Sequence, residues 1–257
     1  MDILTEREGS LLTIIFNRPQ KKNAITEAMY QAMADALQKA ESDRGVRVIL
    51  IHGQPQIFTS GNDLEDFLKR PPTGSDASVF QFMHRISQAS KPIVAAVSGA
   101  AVGIGTTLLL HCDLVYAADN ATFSTPFVRL GLCPELASSF LLPQLVGYQR
   151  AAEKLLLGEP FDAQEAQAIG LVNRVVPVTE LLDVARAQAA ALIALPASSL
   201  RATKRLMKAG QSDLVKSRIA DEADQFGRLL VSPEAREAFN AFFEKRKPDF
   251  SHLTKLT

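Results

Sequence analysis

The chain has 257 residues, 47% hydrophobic and 22% charged, enough apolar material for a sizeable core and enough length for one large domain or two small ones. Its 28 Lys plus Arg balance its 28 Asp plus Glu, so no net charge argues for nucleic acid or an anionic membrane as partner, although local basic clusters could still matter. Cys112 and Cys133 form neither a disulfide framework nor a metal-ligand pair at a familiar spacing, and so few thiols suit a reducing, cytoplasmic compartment.

The opening MDILTEREGS carries acidic residues and only a short apolar stretch, so no signal peptide is expected. Leu11–Phe16 reads as a strand ended by Asn17-Arg18-Pro19. Thr26 is the expected N-cap of a helix in which Met29, Met33, Ala36, Leu37 and Ala40 recur at helical spacing. Val46, Val48, Ile49, Leu50 and Ile51 form a short apolar run that reads as a buried strand ending at Gly53, followed by a loop to Gly61. A short helix is predicted over 64–68, broken by Pro71-Pro72, and a second over 75–89. Pro92 then opens a buried strand over 93–97, a glycine turn leads into a helix to about His111, and a strand follows over 114–117.

Residues 93–110 carry no charge and raise the alternative of a membrane span. Gly99, Gly103 and Gly105 cluster there with Ser98, Thr106 and Thr107, which a strand, a turn and a helix explain better. From Glu135 onward the pattern is mostly helical, with one short strand predicted over 171–176. Strand–helix alternation followed by a helical tail indicates an α/β core over residues 1–195 and a C-terminal helical region over 196–257. That region is more polar and charged, suited to packing on a neighbour.

No G-x-S-x-G elbow, H-E-x-x-H, Walker loop or C-x-x-C is present. His52, His84, His111 and His252 share no spacing, and each reads more readily as a surface or satisfied core residue than as a catalyst. Three segments carry chemistry. The first, GAAVGIGTT at 99–107, follows a predicted strand and opens a predicted helix, where unpaired backbone N–H groups suit an anion or a developing oxyanion. Close helix–strand packing explains the glycines equally well. A dinucleotide fingerprint does not, because Leu108 stands where its third glycine belongs.

The second segment is FTSGNDL at 58–64, also a strand–glycine–helix junction. Taken alone it is a loop with Asn62 or Asp63 as helix cap. Two such junctions together can aim two N–H groups at one point, which is what an oxyanion hole requires. The third is Pro134-Glu135. A glutamate in a helix's first turn ordinarily complements the helix dipole. This one lies among Phe123, Pro126, Phe127, Leu130, Leu132 and Cys133, and an isolated carboxyl in apolar surroundings acquires the raised pKa of a proton shuttle.

These segments resemble the crotonase (enoyl-CoA hydratase/isomerase) superfamily. NRPQKKNAI resembles its N-R-P-x-x-x-N-A-[LI] segment, and FTSGNDL its F-[CS]-[AS]-G-x-D-[LF] motif. GAAVGIGTTLLLHCDLVYAADNATFSTPFVRLGLCPE and GEPFDAQEAQAIGLVNRVVP resemble two further segments, so the likeness spans nearly the whole chain. It implies a crotonase-like fold, a spiral of ββα repeats, with residues 196–257 forming a trimerisation region. It also implies an acyl-CoA thioester as substrate, a homotrimer or dimer of trimers, and no cofactor or metal beyond the CoA that the substrate carries. By position, the oxyanion donors fall on the N–H groups of Asn62 and Ile104. CoA contacts fall on Lys21, Lys22, Ala24, Ser60, Gly61, Asp63, Leu64, Phe242 and Lys245, although Lys245 is equally well a solvated helix end.

The departures are informative. Hydratases of this superfamily use two glutamates, and here Thr107 and Phe127 stand at those positions, facing the acyl pocket. Glu135 instead resembles the single glutamate of the Δ3,Δ2-enoyl-CoA isomerases, and SGNDL, TPF and PE are most like the peroxisomal type. The ending HLTKLT is not a peroxisomal address. The expectation is therefore an isomerase with Glu135 as its acid/base. The rivals are another reaction of the superfamily, such as weak hydration or isomerisation of a cyclic acyl group, and a non-catalytic acyl-CoA binding module.

Overall fold

The computed structural model describes residues 1–69, 74, 76–251 and 253. The expected Pro71-Pro72 break, the Ser75 helix start, His252 and residues 254–257 lie outside them. Strands β1 (Ile3–Glu8) and β2 (Leu11–Phe16) form a hairpin through Gly9-Ser10, with Gly9 at φ +57° as a tight turn of this kind prefers. β1 was not foreseen because it is an edge strand. Only Ile3 is buried, and the remainder, LTERE, reads as a solvated segment.

Thr26 caps α1 (Glu27–Ser42) as expected, its hydroxyl accepting the Met29 N–H at 3.3 Å. The chain then gives β3 (Val48–His52), β4 (Ile57–Thr59), α2 (Leu64–Lys69), α3 (Ser78–Gln88), β5 (Ile93–Val97) and β6 (Ala100–Val102). One helical turn, α4 (Ile104–Thr107), passes into a 3-10 turn at Leu108–His111, followed by β7 (Leu114–Ala118) and β8 (Thr122–Ser124). Next come α5 (Ser138–Val146), α6 (Tyr148–Ala152), β9 (Phe161–Asp162), α7 (Ala163–Ala168) and β10 (Arg174–Val176). Four helices close the chain: α8 (Leu181–Ala194), α9 (Ala197–Ala209), α10 (Ser212–Leu230) and α11 (Pro233–Phe243).

The strands form two sheets. One has the order β1-β2-β3-β5-β7-β10, parallel except for the β1–β2 hairpin; the other has the order β4-β6-β8-β9. Each of the pairs β3/β4, β5/β6 and β7/β8 gives one strand to each sheet, which is the ββα spiral expected from the sequence. The second sheet is the correction: the loop expected before Gly61 contains β4, and the expected glycine turn contains β6. Three-residue strands carry too little alternation to announce themselves.

β3 and β5 are buried on both faces, as central parallel strands are. Ile49, Ile51, Ile93, Ala95 and Val97 join the main core with α1 and α3, while Val48, Leu50, Val94 and Ala96 pack against Leu181, Ala185 and Ala189 of α8. Among the described residues no single helix is long and apolar enough to cross a membrane. Residues 93–110 are divided among two strands, α4 and the 3-10 turn.

Candidate active site

The β4–β6 pairing sets the geometry of the two glycine junctions. Thr59 lies opposite Ala101 in parallel register, so Asn62 and Ile104 each follow three residues beyond a matched pair. The turns touch. A Cβ on Gly61 would lie 2.9 Å from the Val102 carbonyl oxygen, and one on Gly105 would lie 2.5 Å from Thr59 Cγ2. Gly61 at φ +85° and Gly103 at φ +57°, ψ −117° hold backbone conformations that side chains disfavour. Ile25 donates to the Gly61 carbonyl at 2.8 Å and accepts from Asp63 at 2.9 Å, which leaves the Asn62 N–H facing away from that strand-like contact. Among the described residues neither the Asn62 nor the Ile104 N–H has a backbone acceptor. Two free amides at matched offsets on touching turns meet the geometric requirement for holding an oxyanion. The helix opened here, α4, is a single turn, so the dipole it adds to these amides is small.

Glu135 differs from its expected setting in one respect. It does not sit in the first turn of a helix, because α5 begins only at Ser138. Leu136 and Ala137 intervene, both at φ +57° and both fully buried. Consecutive left-handed residues bearing side chains cost about 1–2 kcal/mol each, so this turn needs support. His111 Nε2 donates to the Leu136 carbonyl at 2.9 Å, and Ser138 Oγ donates to the Glu135 carbonyl at 2.6 Å. Burial pushes the His111 imidazole down to about 4, so the ring is neutral and its Nε2 carries the proton. Glu222 on α10 accepts the N–H groups of Ala137 and Ser139 at 2.6 and 2.9 Å.

Glu135 is 5% exposed. Its Oε1 accepts from the Thr107 hydroxyl at 2.5 Å, and its Oε2 is buried without a hydrogen-bond partner. Burial pushes its pKa up to about 8; the Thr107 hydrogen bond opposes that shift and the Glu222 charge adds to it. Glu135 is thus not electrostatically isolated, since α10 brings a second carboxylate from 87 positions along the chain, a neighbour no local sequence window contains. The buried Tyr30 hydroxyl, itself pushed well above its ordinary pKa chiefly by burial and also by Glu135, donates to Asn62 Oδ1.

A cavity of about 40 Å³ is lined by both Asn62 and Glu135 and walled by Phe67, Val79, Met83, Leu136, Phe226 and Leu230 among others. Apart from Leu136, these walls come from α2, α3 and α10, and none of them was expected from the sequence as a pocket residue. Thr107 reaches the site through Glu135, while Phe127 shares a cluster with Phe226 and Leu230 and lies against the Gly103 turn, where a Cβ would be 3.8 Å from its ring. Lys21 and Lys22 are exposed beside Ala24, and the Lys22 carbonyl accepts the Ser60 N–H at 3.0 Å, so the 21–24 and 60–64 segments run together. The Asp63 carboxylate pairs with Arg18 at 2.7 Å and accepts the Asp66 N–H at 3.2 Å, and Arg18 also binds the Ala24 carbonyl. Leu64 packs with Phe67 in the same cluster as Phe226. Phe242 is 58% exposed and Lys245 takes φ +54° beyond α11; neither borders the cavity.

Arg18 and Asn23 are site-building residues that sequence reasoning missed. Asn23 Nδ2 donates to the Phe58 carbonyl and the Gln54 side chain, both at 2.9 Å, tying NRPQKKNAI to β4. The signal was present, since both residues lie inside that segment.

The enoyl-CoA hydratase/isomerase family profile matches residues 6–253. The chain belongs to that family. Its two-sheet spiral superposes on the Pseudomonas aeruginosa protein OdaA with a TM-score of 0.92, at 48% identity over 94% of this chain and 98% of that one. Rat enoyl-CoA delta isomerase 2 is 37% identical over 96% of this chain, which spans 64% of the rat protein's length. The Escherichia coli 2,3-dehydroadipyl-CoA hydratase is 32% identical over 97% of this chain and 98% of its own. Family membership thus covers both isomerases and hydratases, and the site must discriminate between them.

Proposed function

We propose that this family member is a Δ3,Δ2-enoyl-CoA isomerase. The observation that carries the reading is a buried carboxyl, Glu135, with one oxygen unpartnered beside an apolar cavity and two unpaired amides at matched positions on adjoining turns. The thioester oxygen of a 3-enoyl-CoA accepts from the Asn62 and Ile104 N–H groups. Glu135 takes a proton from C2, and the electrons delocalise over the dienolate whose oxygen the two amides hold. The protonated Glu135 then returns the proton at C4, giving the conjugated 2-enoyl-CoA. A pKa near 8 suits both steps, since the group must first accept and then release a proton.

Addition of water requires a second acid/base beside the first. The other nearby carboxylate, Glu222, is engaged by two backbone N–H groups, and Thr107 and Phe127 offer no carboxyl. The cavity of about 40 Å³ has room for about one water, so its walls must part for an acyl chain. Only proton transfer is involved, and the substrate's own CoA is the sole cofactor in this reading. The 21–24 and 60–64 segments, with Phe242 and Lys245, are its proposed CoA contacts.

A cytoplasmic homotrimer or dimer of trimers belongs to the same proposal, with residues 196–257 as the assembly region. Leu206 and Met207 on α9, Leu214 on α10, and Phe242 and Phe243 on α11 support it, being apolar side chains between 43% and 67% exposed.

The test is conversion of a medium-chain trans-3-enoyl-CoA to its conjugated isomer by the wild type and by Glu135→Gln, with hydration of the 2-enoyl-CoA followed alongside. Isomerisation that the substitution abolishes is the expected result. Hydration as fast as isomerisation, or no conversion by either protein, would overturn the reading.

A further inference from the structure

Glu222 lies outside every motif that pointed to the site, yet it is 6% exposed and both of its carboxylate oxygens bind the segment that carries Glu135. Its backbone takes part as well, for the Cys133 thiol donates to the Glu222 carbonyl at 3.7 Å. Residue 222 therefore grips the 133–139 segment on both sides of Glu135, across the left-handed Leu136–Ala137 turn. Such a turn, built from residues with side chains, persists only where its surroundings over-determine it. Glu222 supplies an anionic acceptor to two N–H groups that precede or open α5 and have no helical partner of their own.

We propose that Glu222 is the positioning residue of this active site: by holding the Leu136–Ala137 turn it fixes where the Glu135 carboxyl meets the substrate. The proposal rests on the reading of Glu135 as the acid/base. Glu222 touches no substrate and transfers no proton. Its helix also walls the cavity through Ile219, Ala223, Phe226 and Leu230, which links seating of the acyl chain to placement of the base.

The charges around the pair are consistent with this division of labour. Burial pushes the Glu222 pKa upward, and its two N–H donors and Arg218 oppose that shift by favouring the anion. Glu135 faces that anion from α10, the Thr107 hydroxyl from α4 and Tyr30 from α1, with Cys133 on its own segment. Hydrogen bonds from the 137–139 segment oppose the effect of burial on Glu222, whereas burial, with that charge beside it, brings Glu135 to about 8, where it can both take and return a proton, so the two take different roles.

Glu222→Gln keeps the size of the side chain but loses the charge and presents an NH2 to one of the two N–H groups. Four proteins are compared with a medium-chain trans-3-enoyl-CoA across pH: wild type, Glu135→Gln, Glu222→Gln, and Glu222→Gln combined with Ala137→Gly. Circular dichroism establishes that each is folded. For Glu222→Gln the expected result is a kcat lower by about tenfold or more, as displacement of a catalytic group produces. KM should be near the wild-type value and the pH midpoint of kcat lower, because the anion that raised it is gone. Glycine adopts the left-handed turn unaided, so the added Ala137→Gly should recover part of the lost kcat.

Wild-type kcat and pH midpoint in Glu222→Gln, with Glu135→Gln inactive, would overturn the positioning role alone. A loss confined to KM would overturn it too, assigning Glu222 to the cavity wall. Turnover surviving in Glu135→Gln would instead overturn the acid/base assignment, and the positioning role with it.

Discussion

At the scale of single residues, Glu135 trades stability for reactivity. Its carboxyl has an ordinary value of 4.5 and is pushed up to about 8 in the fold, so the folded chain binds its proton more tightly than the unfolded one. A raised carboxyl contributes stability that is fully present below about 4.5 and is lost as pH rises through about 8. Glu135→Gln is neutral throughout and escapes that loss. The stability of the variant relative to the wild type should therefore rise between pH 5 and pH 8.5, by on the order of a few kcal/mol. A difference in melting temperature that is the same at both pH values would show that burial does not raise this carboxyl. The residue was legible as a candidate because the stretch around it is apolar. Its second carboxylate neighbour was not, since Glu222 meets it only through the packing of α10 against α5.

At the scale of elements, catalysis in this account depends on two short strands and the turns that leave them. Gly61 is the sharper test, with φ +85° and a Cβ position only 2.9 Å from the Val102 carbonyl oxygen, a backbone atom that cannot swing aside. Gly61→Ala should cost about 1–3 kcal/mol in stability. By displacing the Asn62 amide it should also reduce kcat by about 10²-fold or more. Thermal melts and steady-state kinetics check the two halves separately, and a kcat within twofold of wild type would remove Asn62 from the oxyanion site. The glycines were readable in the sequence, and so was the need for two junctions. The register that aligns them was not, because β4 and β6 are three residues each and pair across about forty positions of chain. Long elements such as α1, with its cap and apolar stripe, declared themselves, and the edge strand β1 did not.

At the scale of the whole molecule, the α/β spiral and the helical tail followed from strand–helix alternation and from the family segments. The walls of the acyl cavity did not follow, because α2, α3 and α10 come together there from distant parts of the chain. The exposed apolar residues of α9, α10 and α11 belong to the same scale. Light scattering should give three or six times the chain mass, and a double substitution, Met207→Lys with Phe243→Asp, should shift the protein toward monomer. A monomeric wild type would contradict the assembly.

The central claim is that one carboxyl carries the same proton from C2 to C4, and isotopic labelling tests it most directly. A trans-3-enoyl-CoA with two deuterons at C2 is converted in ordinary water and the product is analysed by mass spectrometry. Glu135 is 5% exposed, which slows exchange of its proton with solvent. The account predicts product that keeps both deuterons, one at C2 and one at C4, in a substantial fraction of turnovers. Product that has lost one deuteron to water in every turnover would contradict it.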